Sequence, residues 1–296
     1  MPCCLRAKCV ICSQYNEPTS TISILDLIYP SGASMNLTFL HIGMAKAAST
    51  WLYRVYLEHP DIFTPPESDN PNFFSSQYHQ GLGWYENQYF STYNDEPVSG
   101  EFSNSYLISE VALERIAKHF PNVQLTCILR NPIERAYLHW AHAYYKGRRL
   151  TNPKTDSGNP IEVLKWRRRP RKPFQIPLEA VQHPNGWVYS RMFLEPGLYA
   201  FHLKRLVRYF PADQLYVALY DDLLDDPKTF LYHTFTFLGA DPEFQPNCLH
   251  TDINPESKRA DPNEMSEDLR AHIRNFYHED IAELESILDR DLSAWQ

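Results

Sequence analysis

Residues 39–60 read FLHIGMAKAASTWLYRVYLEHP, and the parsing of this stretch decides the fold. Leu37 to Ile42, LTFLHI, form a short, mostly apolar run of the kind that a buried parallel strand shows. A helix follows from Ser49 to Glu58, and the loop Gly43-Met-Ala-Lys-Ala-Ala-Ser-Thr50 joins the two. The N-terminus of a helix presents unpaired N–H groups and the positive end of its macrodipole, so this loop suits an anion whatever its glycine content. Lys46 adds a full charge, and Ser49 and Thr50 add hydroxyl donors. The loop is not a Walker A motif, in which Lys follows Gly and directly precedes Ser or Thr, because two alanines separate Lys46 from Ser49. ATP-dependent phosphoryl transfer is therefore disfavoured.

Two further apolar runs, VQLTCIL at 123–129 and LYVALY at 215–220, read as strands of the same type. Pro132 to Tyr145 reads as a helix with Pro in its first turn, where the missing N–H costs nothing. Tyr199 to Phe210 places Leu203, Leu206 and Val207 on one face, and Ser266 is a plausible N-cap for a helix carrying Leu269, Ile273, Phe276, Ile281, Leu284 and Leu288. The alternation predicts an α/β domain: a central, mostly parallel sheet flanked by helices, with ligands at the carboxyl ends of the strands. We assign residues 35–296 to this single domain and 1–34 to an N-terminal extension, because Met35 opens MNLTFLHIG and runs straight into the first strand. Between about 146 and 187 the pattern fails. That segment reads as an irregular excursion on the acceptor side, and its basic run Lys165–Lys172 reads either as a solvated face or as a patch for an anionic substrate.

With 296 residues, 43% hydrophobic and 14% aromatic, the chain has ample material for a large core. A net charge of -8 argues against nucleic acid or an anionic membrane as a general partner, though a local basic patch can still hold one anionic ligand. No apolar run approaches the roughly 18 residues that span a bilayer, and no secretory signal pattern is visible, so a cytoplasmic protein is the expectation. Cys3, Cys4, Cys9 and Cys12 crowd the start, but no second pair at metal-ligand distance matches Cys9 and Cys12, and no metal is expected.

The order G-x-x-K-x-x-S/T-T after a strand resembles the 5′-phosphosulfate loop of sulfotransferases that use 3′-phosphoadenosine 5′-phosphosulfate (PAPS). Leu129-Arg-Asn-Pro-Ile-Glu-Arg-Ala-Tyr-Leu138 resembles that family's L-R-x-P-x-x-R-A-x-S, and Gly100-Glu-Phe-Ser-Asn-Ser-Tyr106 its G-E-x-S/T-P-x-Y. Gly197-Leu-Tyr199, Phe210-Pro211, LYVALYDDLLDDP, Phe237-Leu-Gly239 and Leu292-Ser-Ala-Trp295 follow in the family's order, closest to its bacterial and heparan-type branch. The resemblance covers roughly residues 37–296. It implies a P-loop-like sulfotransferase fold and transfer of a sulfuryl group from PAPS, without a metal, to a hydroxyl or amine of a small metabolite or sugar. It implies Lys46 as electrostatic catalyst and Ala47, Ala48, Ser49 and Thr50 around the 5′-phosphate. Arg130 would sit on the 3′-phosphate, with Lys258 and Arg259 as secondary phosphate ligands. Arg130 has an alternative role as an ion-pair partner of Glu134. His41, inside an apolar strand, reads as an interior residue, and Glu195, Tyr189 and Tyr199 as packing.

Three departures from the family pattern stand out. Ala47 and Ala48 replace common glycines, which requires ordinary negative φ at both. Leu138 replaces a Ser that joins the 3′-phosphate, at a cost of about 1–3 kcal/mol where that phosphate stays buried and unpaired. Asp69-Asn-Pro-Asn-Phe-Phe74 resembles K-E-P-x-F-F, so Asn70 stands where many members carry a Glu as general base. Asn cannot accept a proton, which leaves Glu67, Asp69, Glu101 and His142 as alternative bases. A PAPS-binding pseudoenzyme without turnover is the rival reading, and the oligomeric state is open.

Overall fold

The computed structural model describes residues 35–145, 193–251 and 261–296. The extension 1–34 with its cysteines, the excursion 146–187 with its basic run, Tyr189, Lys258 and Arg259 all lie outside the described residues. Five parallel strands, β1 (Phe39–Gly43), β2 (Ile62–Phe63), β3 (Val98–Phe102), β4 (Gln124–Leu129) and β5 (Leu215–Leu219), form one sheet in the order β2-β3-β1-β4-β5. Eight α-helices are described: α1 (Ser49–Glu58), α2 (Leu82–Tyr89), α3 (Glu110–His119), α4 (Pro132–Tyr145), α5 (Tyr199–Leu206), α6 (Tyr220–Asp225), α7 (Pro227–Leu238) and α8 (Glu267–Leu288). The expected α/β class, with helices around a parallel sheet, is what the molecule adopts. Among the described residues no helix is long and apolar enough to cross a membrane.

The strands expected from apolar runs match β1, β4 and β5. The pattern of β3, Val-Ser-Gly-Glu-Phe, hides it, although every residue in it is buried. Gly100 pairs with Phe39 in the β1–β3 ladder, and a Cβ there would come within 2.1 Å of the Phe39 carbonyl oxygen. Close approach of two backbones therefore demands a residue without a side chain at this point. Alternation along β3 sends Phe102 to one face, where its ring meets Tyr53 and Tyr56 of α1 at centroid distances of 5.7 and 5.1 Å. Each such aromatic pair adds about 0.5–1.5 kcal/mol beyond the area it buries. Glu101, on the opposite face, meets Tyr106, Ser103 and Tyr85.

Side chains that satisfy the first free N–H groups set several helix starts. Ser109 accepts from Ala112 N at 3.2 Å, Asp226 from Lys228 N and Thr229 N at 3.1 and 3.2 Å ahead of Pro227, and Ser266 from Leu269 N at 3.4 Å. The Ser266 cap is the expected one. Helix α5 ends at Leu206, shorter than its apolar spacing suggested, and its first N–H groups are taken from a distance: Asp280 on α8 accepts from Ala200 N and Phe201 N at 3.1 and 3.2 Å.

Candidate active site

Order β2-β3-β1-β4-β5 places β1 at the centre, where successive connections leave to opposite sides, and ligands of open α/β sheets sit at such a switch point. The loops leaving β3 and β4 are stitched to the end of β1. Ser103 N donates to His41 O at 2.8 Å, Leu107 N to Ile42 O at 3.1 Å and Met44 N to Ile128 O at 3.0 Å. The β1–β4 register shifts between His41 and Gly43, and the chain there enters the loop that carries Lys46.

Ala48 is the N-cap of α1, and it takes φ 65° and ψ 14°, while Lys46 takes φ 74°. The expectation of negative φ therefore fails at Ala48. The left-handed turn costs a non-glycine residue on the order of 1 kcal/mol. In contrast to α3, α7 and α8, α1 has no side-chain cap, and unlike α3 and α8 it has no acidic residue in its first turn. Ala47 and Ser49 are buried, Lys46 and Ala48 half-buried, and Thr50 exposed. These first N–H groups suit an anion that can approach from the side of Thr50 and Lys46.

Arg130 leaves the carboxyl end of β4 and is 7% exposed. Its Nη1 donates to the Lys46 carbonyl at 3.4 Å, which ties it to the loop 84 positions earlier in the chain. Its Nε and Nη2 donate to Glu134 Oε2 at 3.1 and 2.8 Å, and its Cζ lies 4.5 Å from the centre of the Tyr220 ring. Tyr199 donates its hydroxyl to the Arg130 carbonyl at 2.7 Å, and Trp295 lies edge-on to the Tyr199 ring. The ion pair with Glu134 and the position beside the loop are thus present together. Tyr199, which the sequence reading treated as packing, anchors the backbone of Arg130. Leu138 is buried at 4% exposure in the apolar core.

On the β3 side, Asn70 Oδ1 accepts from both Asn104 N and Asn104 Nδ2, at 3.0 and 3.2 Å. Asn104 Nδ2 also donates to Ser49 Oγ at 3.2 Å, so a chain of amides joins Asn70 to the loop. Sequence reading missed Asn104, although it occupies the Pro position of the quoted G-E-x-S/T-P-x-Y segment.

Of the alternative bases, Glu67 and Asp69 lie exposed next to Asn70 in the chain. After burial, the Asp69 charge is the next cause holding the Tyr53 hydroxyl above its ordinary range. Glu101 is fully buried, accepts from Tyr106 OH at 2.6 Å and Ser103 Oγ at 2.7 Å, and is raised by burial from 4.5 to about 7. Burial therefore favours its neutral, protonated form well above the usual carboxylate range. His142 is half-buried in the last turn of α4, about 15 Å along the helix from its start beside Arg130. The structure thus brings Lys46, Ser49, Asn70 and Arg130 together and separates His142 from them. His41 is interior, as read: its Nδ1 lies 3.0 Å from Thr126 Oγ1, and desolvation lowers its pKa to about 3.

Residues 38–284 match the profile of the sulfotransferase domain, and the chain belongs to this family, whose members generally take the sulfuryl group from PAPS. It is 30% identical over 218 residues to the bifunctional heparan sulfate N-deacetylase/N-sulfotransferase 4 of Mus musculus, covering 70% of this chain and 22% of that protein. It is 26% identical over 215 residues to heparan sulfate glucosamine 3-O-sulfotransferase 3A1 of Mus musculus, covering 73% of this chain and 49% of the relative. The chain thus spans about a fifth of the first relative and about half of the second. Among solved structures, a sulfotransferase from Alicyclobacillus acidocaldarius superposes with a TM-score of 0.66 at 25% identity, over 88% of this chain and 99% of that one.

Proposed function

We propose that this chain transfers a sulfuryl group from PAPS to a hydroxyl or amine of a sugar or small-molecule acceptor. One observation carries the reading: Arg130 reaches the Lys46 carbonyl, so two basic residues 84 positions apart meet at one uncapped helix N-terminus. That donor set fits a ligand with two separate phosphates, one for the loop and one for the guanidinium fork. Bound PAPS supplies an activated sulfur–oxygen bond. During transfer the acceptor oxygen or nitrogen forms a bond to sulfur, the bond to the 5′-phosphate breaks with its electron pair left on that phosphate, and the acceptor's proton departs to a base or solvent. Lys46, Ser49 and the first N–H groups of α1 would offset the charge that develops there, the same positioning and electrostatic work that phosphoryl-transfer sites perform. The heparan sulfate enzymes among the relatives support a sugar as one acceptor class.

A second reading, a PAPS-binding protein without turnover, is favoured by Asn70, an amide that cannot take a proton. Calorimetry with 3′-phosphoadenosine 5′-phosphate comes first, and absence of binding defeats both readings. Mass-resolved transfer across a panel of sugars, phenols and amines then separates them: turnover abolished by Lys46→Ala supports the enzyme, and tight binding with no turnover on any acceptor supports the alternative.

A further inference from the structure

The amide chain from Asn70 to Ser49 has a definite polarity. A backbone N–H can only donate, so the Asn70 atom 3.0 Å from Asn104 N is its carbonyl oxygen, and Asn104 Nδ2 donates to the same atom. Asn70 Nδ2 therefore points the other way. It makes no hydrogen bond among the described residues, and Asn70 is exposed. Asn104 spends both protons of its amide, one on Asn70 and one on Ser49 Oγ, while its own Oδ1 is buried without a partner. Native proteins seldom leave a buried acceptor unpaired without a role for the arrangement. Because Ser49 Oγ accepts from Asn104, the hydroxyl proton of Ser49 is turned away from Asn104 and is available to an anion at the loop.

The region around this pair is fixed by side-chain contacts. Asn72 N donates to Ser103 Oγ at 2.8 Å, Ser105 Oγ to Asn72 Oδ1 at 2.6 Å, and Ser103 Oγ to Glu101 Oε2 at 2.7 Å. Residues 70–72 are thus tied across to 103–105 by side-chain bonds from both segments, which holds the Asn70 amide in one orientation. Asn70 and Asn104 also both depart from the patterns that their segments resemble, at Glu and at Pro. The two departures touch: a proline at 104 would supply neither the N–H nor the amide that pins Asn70.

We propose that Asn70 is a hydrogen-bond donor to an oxyanion seated on the Lys46–Thr50 loop, the sulfuryl oxygens of the donor being the chemistry it fits, and that Asn104 is the positioning residue that aims it. The proposal rests on the function proposed above. In place of a proton acceptor at this position, the protein offers two donors, the Asn70 amide and the Ser49 hydroxyl, both bonded to Asn104. The acceptor's proton then leaves by another route.

Asn70→Asp is the decisive variant, because it keeps the oxygen that Asn104 pins and changes only the outward N–H2 to an oxygen. Wild-type binding of 3′-phosphoadenosine 5′-phosphate is measured first by calorimetry, and its absence overturns the functional reading itself. Where the wild type binds, Asn70→Asp is expected to lower kcat at least tenfold with the thermal midpoint unchanged and no new ionisation in the pH profile. Asn104→Ala is expected to lower kcat to a similar degree, and the double variant Asn70→Asp/Asn104→Ala is expected to be less severe than the product of the two singles. Turnover by Asn70→Asp equal to or above wild type overturns the proposal, as does a new fall of activity on the acid side of its pH profile, which would mean that a carboxylate serves there as base. Independent, multiplicative effects of the two substitutions overturn the positioning role of Asn104.

Discussion

The two flanks of β1 meet at the same loop with opposite electrostatic strategies. On the β4 flank a full cation, Arg130, is held by a carboxylate, a ring face and a tyrosine that grips its backbone. On the β3 flank the groups nearest the loop are neutral amides, and the nearest buried acid, Glu101, sits among tyrosines with its pKa pushed up to about 7. A site for a polyanion needs both. Charge on one side supplies affinity, and a neutral wall on the other avoids repelling the group that must move.

The contrast breaks first if Lys46 is removed. Lys46→Ala is expected to lower kcat by about 10²–10³, the usual cost of losing one electrostatic stabiliser of a transition state, and steady-state transfer assays check it. Arg130→Ala is expected to weaken binding of 3′-phosphoadenosine 5′-phosphate by roughly 10- to 100-fold, from about 1.5–3 kcal/mol for a hydrogen bond to a charged group. Calorimetry reads this directly, and an unchanged affinity would reduce Arg130 to a structural partner of Glu134.

The β3 flank is tested through pH. With its folded pKa raised from 4.5 to about 7, Glu101 keeps a proton that the unfolded chain has already released. Its contribution to stability is therefore fully present below about pH 4.5 and is lost as pH rises through about 7, by on the order of 3 kcal/mol. Glu101→Gln, which stays neutral, is expected to lose less of its thermal midpoint between pH 5 and pH 8 than the wild type, and parallel melting curves would count against a perturbed Glu101. Smallest is Ala48→Gly. Relief of the left-handed φ is expected to add no more than roughly 0.5 kcal/mol in denaturant unfolding after the extra backbone entropy of glycine is counted.

Much of this arrangement was legible in the residues. The strands β1, β4 and β5 are apolar runs because both faces of a parallel sheet are covered, and Lys46 and Arg130 follow from the spacing of their motifs. β3 was not legible, because its middle residues answer to local demands: Gly100 to the Phe39 backbone, and Glu101 to two hydroxyls. The left-handed Ala48 escaped because alanine ordinarily takes negative φ, so residue type does not announce this conformation. Asn104 escaped because its partners lie 34 and 55 positions away, and no local pattern encodes a contact of that span. Tyr199 was missed for a similar reason: its partner is a backbone carbonyl 69 positions away, which leaves no trace in residue type.

The central place of β1 also bears on the order in which the molecule is built. β1 leaves the ribosome first among the five strands, yet its two neighbours begin at Val98 and Gln124, so one edge stays unpaired for more than fifty further residues and the other for about eighty. Pairings between such distant segments carry a loop-closure cost and are slow to form. The Lys46 loop therefore takes its shape only when β3 and β4 have closed on β1, and Arg130 arrives in the same event. Nucleotide binding would then report completion of the whole sheet, and a chain stopped before Leu129 would be expected to hold no anion at Lys46.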